Sequence, residues 1–219
     1  MAPTLGYWNI RGLAQPIRLL LAYSSTEYED KRYGIGAVWS GTEFDRNDWL
    51  DDKHTLGLDF PNLPYYLDGH LKLTQSVAIL RHVARKTKLD GQTDADKLRV
   101  DLVEQQLVDI NTGVSHICYD PNFETLVVDY LKNLPQSLEL LSKFLGDRPF
   151  LAGESVTYVD FLAYEILDKL NALAPEIVSN VDNLRKYIER VESLPQIANY
   201  LKSTPKTSFN GAMAKWGGN

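Results

Sequence analysis

Apolar and polar residues change their spacing along the chain. Thr4 to Tyr7 is short and strand-like, and from Pro16 to Tyr23 the apolar Ile17, Leu20 and Leu21 share one face of a helix, with proline suited to its first turn. Tyr28 to Tyr33 reads as a second strand, followed by a glycine-rich loop from Gly34 to Gly41. Tyr65–Leu67 and Leu71–Leu73 flank Asp68-Gly69, a dipeptide that suits a tight hairpin. From Ser76 to Lys86, Ile79, Leu80, Val83 and Ala84 return to helical spacing. The order is β-α-β followed by β-β-α. Strands joined through a helix run parallel and a hairpin runs antiparallel, so a mixed four-stranded sheet is expected.

The polar stretch from Lys86 to Thr93 contains Gly91 and reads as a linker. It divides the chain into residues 1–85, a linker 86–93 and a helical part 94–219. In that last part Val103, Leu107, Ile110, Val114 and Ile117 recur at spacings of four and three, as do Leu126, Tyr130, Leu134, Leu138, Leu141 and Leu145. Each set predicts a core-facing helical stripe. Further helices are predicted over Tyr158–Leu170, Leu184–Val191 and Gln196–Lys202. Thr157 to Asp160 has the spacing of a capping box, with Asp in place of Glu.

The chain has 219 residues, enough for one large domain or two small ones. Its net charge is −6 with the charges interspersed, which argues against a nucleic-acid binder. A single cysteine, Cys118, cannot form an internal disulfide. The first 22 residues are interrupted by Arg11 and Arg18, and no apolar run approaches the roughly 18 residues of a membrane span. A cytoplasmic protein without a membrane or nucleic-acid partner is therefore expected. The histidines His54, His70, His82 and His116 are scattered, and no metal-ligand spacing, dinucleotide fingerprint or phosphate loop is present.

Several places have candidate chemistry beside a plainer reading. Leu63-Pro64 precedes a strand; a cis bond there would open a backbone edge to an extended ligand, but an ordinary trans proline is commoner. Thr74-Gln75-Ser76 opens a helix whose first N–H groups favour an anion, although Ser76 acting as a simple cap explains the same residues. Arg46, Trp49 and Lys53 suit a small anion, yet Asp45, Asp48, Asp51 and Asp52 are close enough in sequence to pair with them. Tyr7 and Trp8 end the first strand, where a tyrosine is ordinarily core.

Together, in order and nearly from end to end, these segments resemble the mu class of cytosolic glutathione S-transferases. The resemblance is carried by Leu5-Gly-Tyr-Trp-Asn-Ile-Arg-Gly-Leu-Ala-Gln-Pro-Ile-Arg-Leu-Leu-Leu21, by Leu56-Gly-Leu-Asp-Phe-Pro-Asn-Leu-Pro-Tyr65 and by Thr74-Gln-Ser76. Asp45-Arg-x-x-Trp49, Val156-Thr-Tyr-Val-Asp-Phe-Leu-Ala-Tyr164 and Trp216 fit as well. It implies a thioredoxin-like α/β domain followed by an all-α domain carrying most of the electrophile pocket. The implied enzyme is a homodimer that joins glutathione to apolar electrophiles, with no cofactor beyond that co-substrate. Tyr7 matches the tyrosine that stabilises the thiolate. Trp8, Leu13, Arg46, Trp49 and Lys53 match glutathione-binding positions, as do Asn62, Leu63, Gln75 and Ser76. Pro64 is expected cis. Asp109 matches an acid reaching the neighbouring subunit's glutathione, and Phe60 an aromatic inserted into the partner. The electrophile would meet Ile10, Asn111, Ser115, Tyr119 and Phe209, beside Tyr7 and Leu13.

Three departures stand out. The Tyr33–Arg46 loop is about three residues longer than the usual mu-class loop and carries Trp39, Gly36 and Gly41. Ala14 stands where many members have a hydroxyl, and the tail from Thr204 to Asn219 diverges. Two non-catalytic alternatives remain on the same scaffold, an apolar-ligand binder and a structural protein. A sigma-type isomerase fits the Asp45-Arg46 to Trp49 motif less well.

Overall fold

The computed structural model describes residues 2–34 and 46–218. Its strands are β1 (Thr4–Trp8), β2 (Glu29–Tyr33), β3 (Tyr65–Asp68) and β4 (Leu71–Thr74). Its helices are α1 (Gln15–Tyr23), α2 (Asn47–Lys53), α3 (Ser76–Thr87), α4 (Asp94–Tyr119), α5 (Phe123–Leu145), α6 (Tyr158–Leu173), α7 (Pro175–Ser179), α8 (Asp182–Glu192) and α9 (Pro195–Ser203). The sheet order is β2-β1-β3-β4. β1 runs parallel to β2, with Tyr7 beside Arg32, and antiparallel to β3, with Leu5 beside Tyr66. The β-α-β, β-β-α order followed by helices is the one expected from the alternation of periods, and the thioredoxin-like character of the first unit is what the resemblance implies. The glycine-rich loop expected at Gly34–Gly41 falls mostly outside the described residues.

β1 is central and its middle residues are buried. Gly6 leaves room for the ring of Tyr65 across the strand pair: a Cβ at position 6 would sit 2.1 Å from that ring. α1 packs against α3 and α6, so the sheet unit and the helical unit share a continuous core. Every residue from Tyr158 to Leu167 on α6 is buried, as expected of a helix enclosed on all sides. At its start, the Asp160 carboxylate accepts from Thr157 N at 2.7 Å, the Thr157 hydroxyl at 3.1 Å, Leu151 N at 3.0 Å and the Tyr187 hydroxyl at 2.8 Å. The anticipated capping box is thus wired into the core.

A second buried carboxylate joins the units. Glu104 on α4 is fully buried and accepts from Arg81 on α3 at 2.8 and 2.5 Å and from the Tyr158 hydroxyl at 2.6 Å. Two helices were not anticipated, α2 and the short α7. The five predicted positions on α4 are all buried, whereas on α5 Leu126 and Tyr130 are only half-buried and the stripe reaches the core from Leu134 onward. No helix among the described residues is long and apolar enough to cross a membrane.

Candidate active site

The C-terminal end of β1 delivers Tyr7 to the boundary between the sheet unit and the helices. Its side chain is 6% exposed, and its hydroxyl accepts a hydrogen bond from the N–H of Leu13 at 3.1 Å. The phenol's own proton is therefore left to donate. Burial pushes the phenol above the ordinary tyrosine range; the Leu13 N–H pulls it back, Tyr119 raises it and the Arg18 cation lowers it. At neutral pH the group is a protonated donor. The turn that brings Leu13 back onto Tyr7 depends on Gly12, whose φ is +43°, and a Cβ there would lie 2.6 Å from the Tyr7 hydroxyl. Arg18 on α1 is wholly buried, donates to the Ile10 carbonyl at 2.7 Å and pairs with Asp30 at 3.2 Å. It fixes the loop from within.

Next to β1 the rings of Trp8, Tyr33, Trp49 and Tyr65 form a cluster, with Trp8–Tyr33 edge to face at 6.4 Å and Trp49–Tyr65 stacked at 6.1 Å. The Tyr33 hydroxyl donates to Asp52 at 2.7 Å, and Lys31 pairs with the same carboxylate at 2.5 Å. Trp49 is thus buried on α2, while Arg46 just before it is exposed and Lys53 at its end is half-buried.

Two backbone features flank this cluster. Leu63-Pro64 is cis and leads into β3, and Asn62 folds back to accept the Leu63 N–H at 2.9 Å. Gln75 has φ +71°, an unusual conformation for a residue with a Cβ, of the kind that concentrates at functional sites. It precedes α3, and no side chain caps that helix. Ser76 is consequently the first helical residue rather than the cap suggested by the plainer reading. First-turn N–H groups that no side chain caps are of the kind that favours an anion.

On the helical side, Tyr119 is 43% exposed and its hydroxyl accepts the N–H of Gly211 at 2.7 Å. The tail is tied down further: Arg11 N–H donates to Ser208 O at 2.8 Å and Gly12 N–H to Phe209 O at 3.0 Å. Phe209 lies beneath the Arg11 guanidinium at 4.1 Å and stacks on Trp216 at 5.8 Å. Arg11 in turn pairs with Glu165 at 2.5 Å and Asp168 at 2.7 Å. Burial pushes the Glu165 carboxyl up to about 7, against the pull of Arg11. Asn111 accepts from Lys169 at 3.2 Å and shares with Leu13 and Ser76 the wall of a cavity of about 100 Å³.

Residues 3–85 match the family model described as Glutathione S-transferase, N-terminal domain, and residues 108–204 that described as Glutathione S-transferase, C-terminal domain. The chain belongs to the glutathione S-transferase family. It is 57% identical over 216 residues to a glutathione S-transferase of Tyrophagus putrescentiae, with 99% of this chain and 97% of the relative covered. It is 47% identical over 218 residues to glutathione S-transferase Mu 1 of Mus musculus, with 99% of each covered. Among solved structures, that of the glutathione S-transferase Blo t 8 superposes with a TM-score of 0.88 at 34% identity, over 98% of this chain and 99% of that one.

The glutathione S-transferase fold brings Tyr7, Leu13, Ser76 and Asn111 to one boundary, with Tyr119 and Phe209 joined to it through the tail. Ile10 is buried in the same loop, and Ser115 is half-buried on α4. Asp109 is exposed and lines a groove between α4 and α5 with Ile110, Tyr130 and Asn133. Gly12, Arg18, Arg11 and Glu165 escaped the sequence reading as site-forming residues. For Gly12 the signal was present, a glycine in the short loop between the tyrosine strand and α1. For Arg11 and Glu165, 154 positions apart, there was none.

Proposed function

We propose that this glutathione transferase activates its thiol with Tyr7. The observation that supports this most is the Leu13 N–H on the Tyr7 oxygen, which orients the phenol and leaves its proton for the sulfur of glutathione. A free thiol has a pKa of about 8.5, and lowering it by two units takes ~2.7 kcal/mol of differential stabilisation. One hydrogen bond to a charged group contributes ~1.5–3 kcal/mol, so a single oriented phenol is of the right size. The thiolate then attacks an apolar electrophile.

Residues 1–85 serve in this reading as the glutathione-binding domain, 86–93 as the linker and 94–219 as the domain with most of the electrophile pocket. The γ-glutamyl carboxylate sits at the uncapped start of α3 with Gln75 and Ser76. The peptide backbone of glutathione pairs with Asn62 and Leu63, and its glycyl end meets Arg46, Trp49 and Lys53, with Trp8 and Leu13 beside the cysteinyl part. Ile10, Asn111, Ser115, Tyr119 and Phe209 receive the electrophile. Tyr119, whose oxygen is held by Gly211, keeps its proton to give to a developing oxyanion. We infer a cytoplasmic homodimer in which Phe60, 72% exposed here, inserts into the partner and Asp109 reaches the partner's glutathione.

The test is turnover of a panel of electrophiles, chlorodinitrobenzene among them, by wild type and Tyr7→Phe. Turnover that falls sharply at neutral pH in the variant supports the reading; equal rates would remove Tyr7 from the mechanism. Binding of glutathione without turnover of any electrophile would favour a ligand-binding role instead.

A further inference from the structure

Lys169 on α6 is 3% exposed, and its ammonium donates to the side-chain oxygen of Asn111 on α4 at 3.2 Å. An ammonium has three donors and no acceptor. That fixes the sense of the Asn111 amide, which an asparagine alone leaves open: the oxygen faces Lys169, and the NH2 group faces away. A flipped amide would set donors against donors beside a buried cation. The NH2 group is the part of the amide that Lys169 does not engage, and Asn111 lines a cavity with Gly12, Leu13, Ser76 and the Glu165 carboxylate. Glu165, one helical turn before Lys169, and Arg11 form a neighbouring ion pair at 2.5 Å, so the lysine is embedded in a charge cluster rather than isolated.

We propose that Lys169 and Asn111 together set electrophile preference: Lys169 orients the amide so that Asn111 offers an N–H donor to substrates whose oxygen gains negative charge as the thiolate adds. This rests on the reading that Asn111 borders the electrophile site. With an α,β-unsaturated ketone, the sulfur forms a bond to the β-carbon, the C=C π bond breaks, and the electron pair moves to the carbonyl oxygen as an enolate. A solvent proton then reaches the α-carbon. A donor aimed at that oxygen acts in the transition state more than in the ground state. With benzyl chloride, the C–S bond forms as C–Cl breaks and chloride leaves; no oxygen is present to receive the donor. Lys169 is thus a positioning residue, and Asn111 the group that touches substrate.

The experiment compares kcat/KM for benzylideneacetone and for benzyl chloride on the same enzyme preparation, so that their ratio is independent of the folded fraction. Asn111→Leu and Lys169→Leu are expected to lower the ratio roughly tenfold, less than the hundredfold to thousandfold of a fully enclosed oxyanion donor. Lys169→Arg, another donor-only cation, is expected to keep it. Asn111→Asp still gives Lys169 an oxygen partner but lacks the N–H, and is expected to lower the ratio at least as far as leucine does. An unchanged ratio in Asn111→Asp overturns the inference alone. Failure of wild type to turn over either electrophile overturns the transferase reading, and this inference with it.

Discussion

At the scale of single residues, the site is set by what lies within a few ångströms of the Tyr7 hydroxyl. Gly12 is the tightest of these constraints, because both its φ of +43° and the 2.6 Å approach exclude a side chain. Gly12→Ala should fold yet lose about tenfold to a hundredfold in kcat/KM, since displacements near 1 Å at a reacting group cost rates of that order. Steady-state kinetics beside a circular dichroism spectrum check this. Glu165 makes a different prediction. Its carboxyl titrates at about 7 when folded and about 4.5 when unfolded, so the folded state holds more protons between those values. Its contribution to stability is full below about 4.5 and is lost as pH rises through about 7. A shift of this size corresponds to about 3 kcal/mol. Glu165→Gln should therefore lose less stability than wild type as pH rises across that window, and urea unfolding at the two ends measures it. Tyr7 itself was ambiguous as a residue: a buried tyrosine on a strand is ordinarily core, and here the ring is buried while the hydroxyl is oriented by the Leu13 N–H.

At the scale of elements, the sequence patterns were most readable where one physical signal dominates. The hairpin at Asp68-Gly69, the parallel pair joined by α1 and the α4 stripe all appear where the spacing puts them. α2 was not legible because Asn47 to Lys53 is short and acidic, with one buried residue, Trp49, too few to show a period. The cis Leu63-Pro64 bond was not decidable from its own residues, since the trans form is commoner. The start of α6 was legible, and its capping residue doubles as a core hub. Asp160→Ala removes a cap and takes the carboxylate acceptor from the Thr157 N–H, the Thr157 hydroxyl and the Leu151 N–H, while the Tyr187 hydroxyl keeps only the Asp160 carbonyl at 3.3 Å. At ~1–3 kcal/mol for each unsatisfied buried group, the variant should lose about 3 kcal/mol or more, read as a lower urea midpoint.

At the scale of the whole molecule, contacts that join distant parts of the chain carry the least sequence signal. Arg11 with Glu165, Arg81 with Glu104 and Asn111 with Lys169 are separated by 154, 23 and 58 positions, and nothing in the spacing of charges announces them. The first two tie the sheet unit to the helices, and the third joins α4 to α6. Phe60 and Asp109 extend the same logic beyond one chain. If Phe60 anchors a partner, Phe60→Ala removes an aromatic hot spot of about 2 kcal/mol or more, and the dimer dissociation constant should rise on the order of thirtyfold in sedimentation experiments. A sedimentation profile identical to wild type would assign the exposed ring another role.

The role of Tyr7 is tested most directly by titrating the thiol of bound glutathione through the ultraviolet absorbance of its thiolate, in wild type and in Tyr7→Phe. The wild-type thiol should titrate about two units below the free value of about 8.5, and loss of the phenol should return it most of the way. A thiol pKa in Tyr7→Phe equal to that of wild type would contradict activation by the oriented Tyr7 hydroxyl.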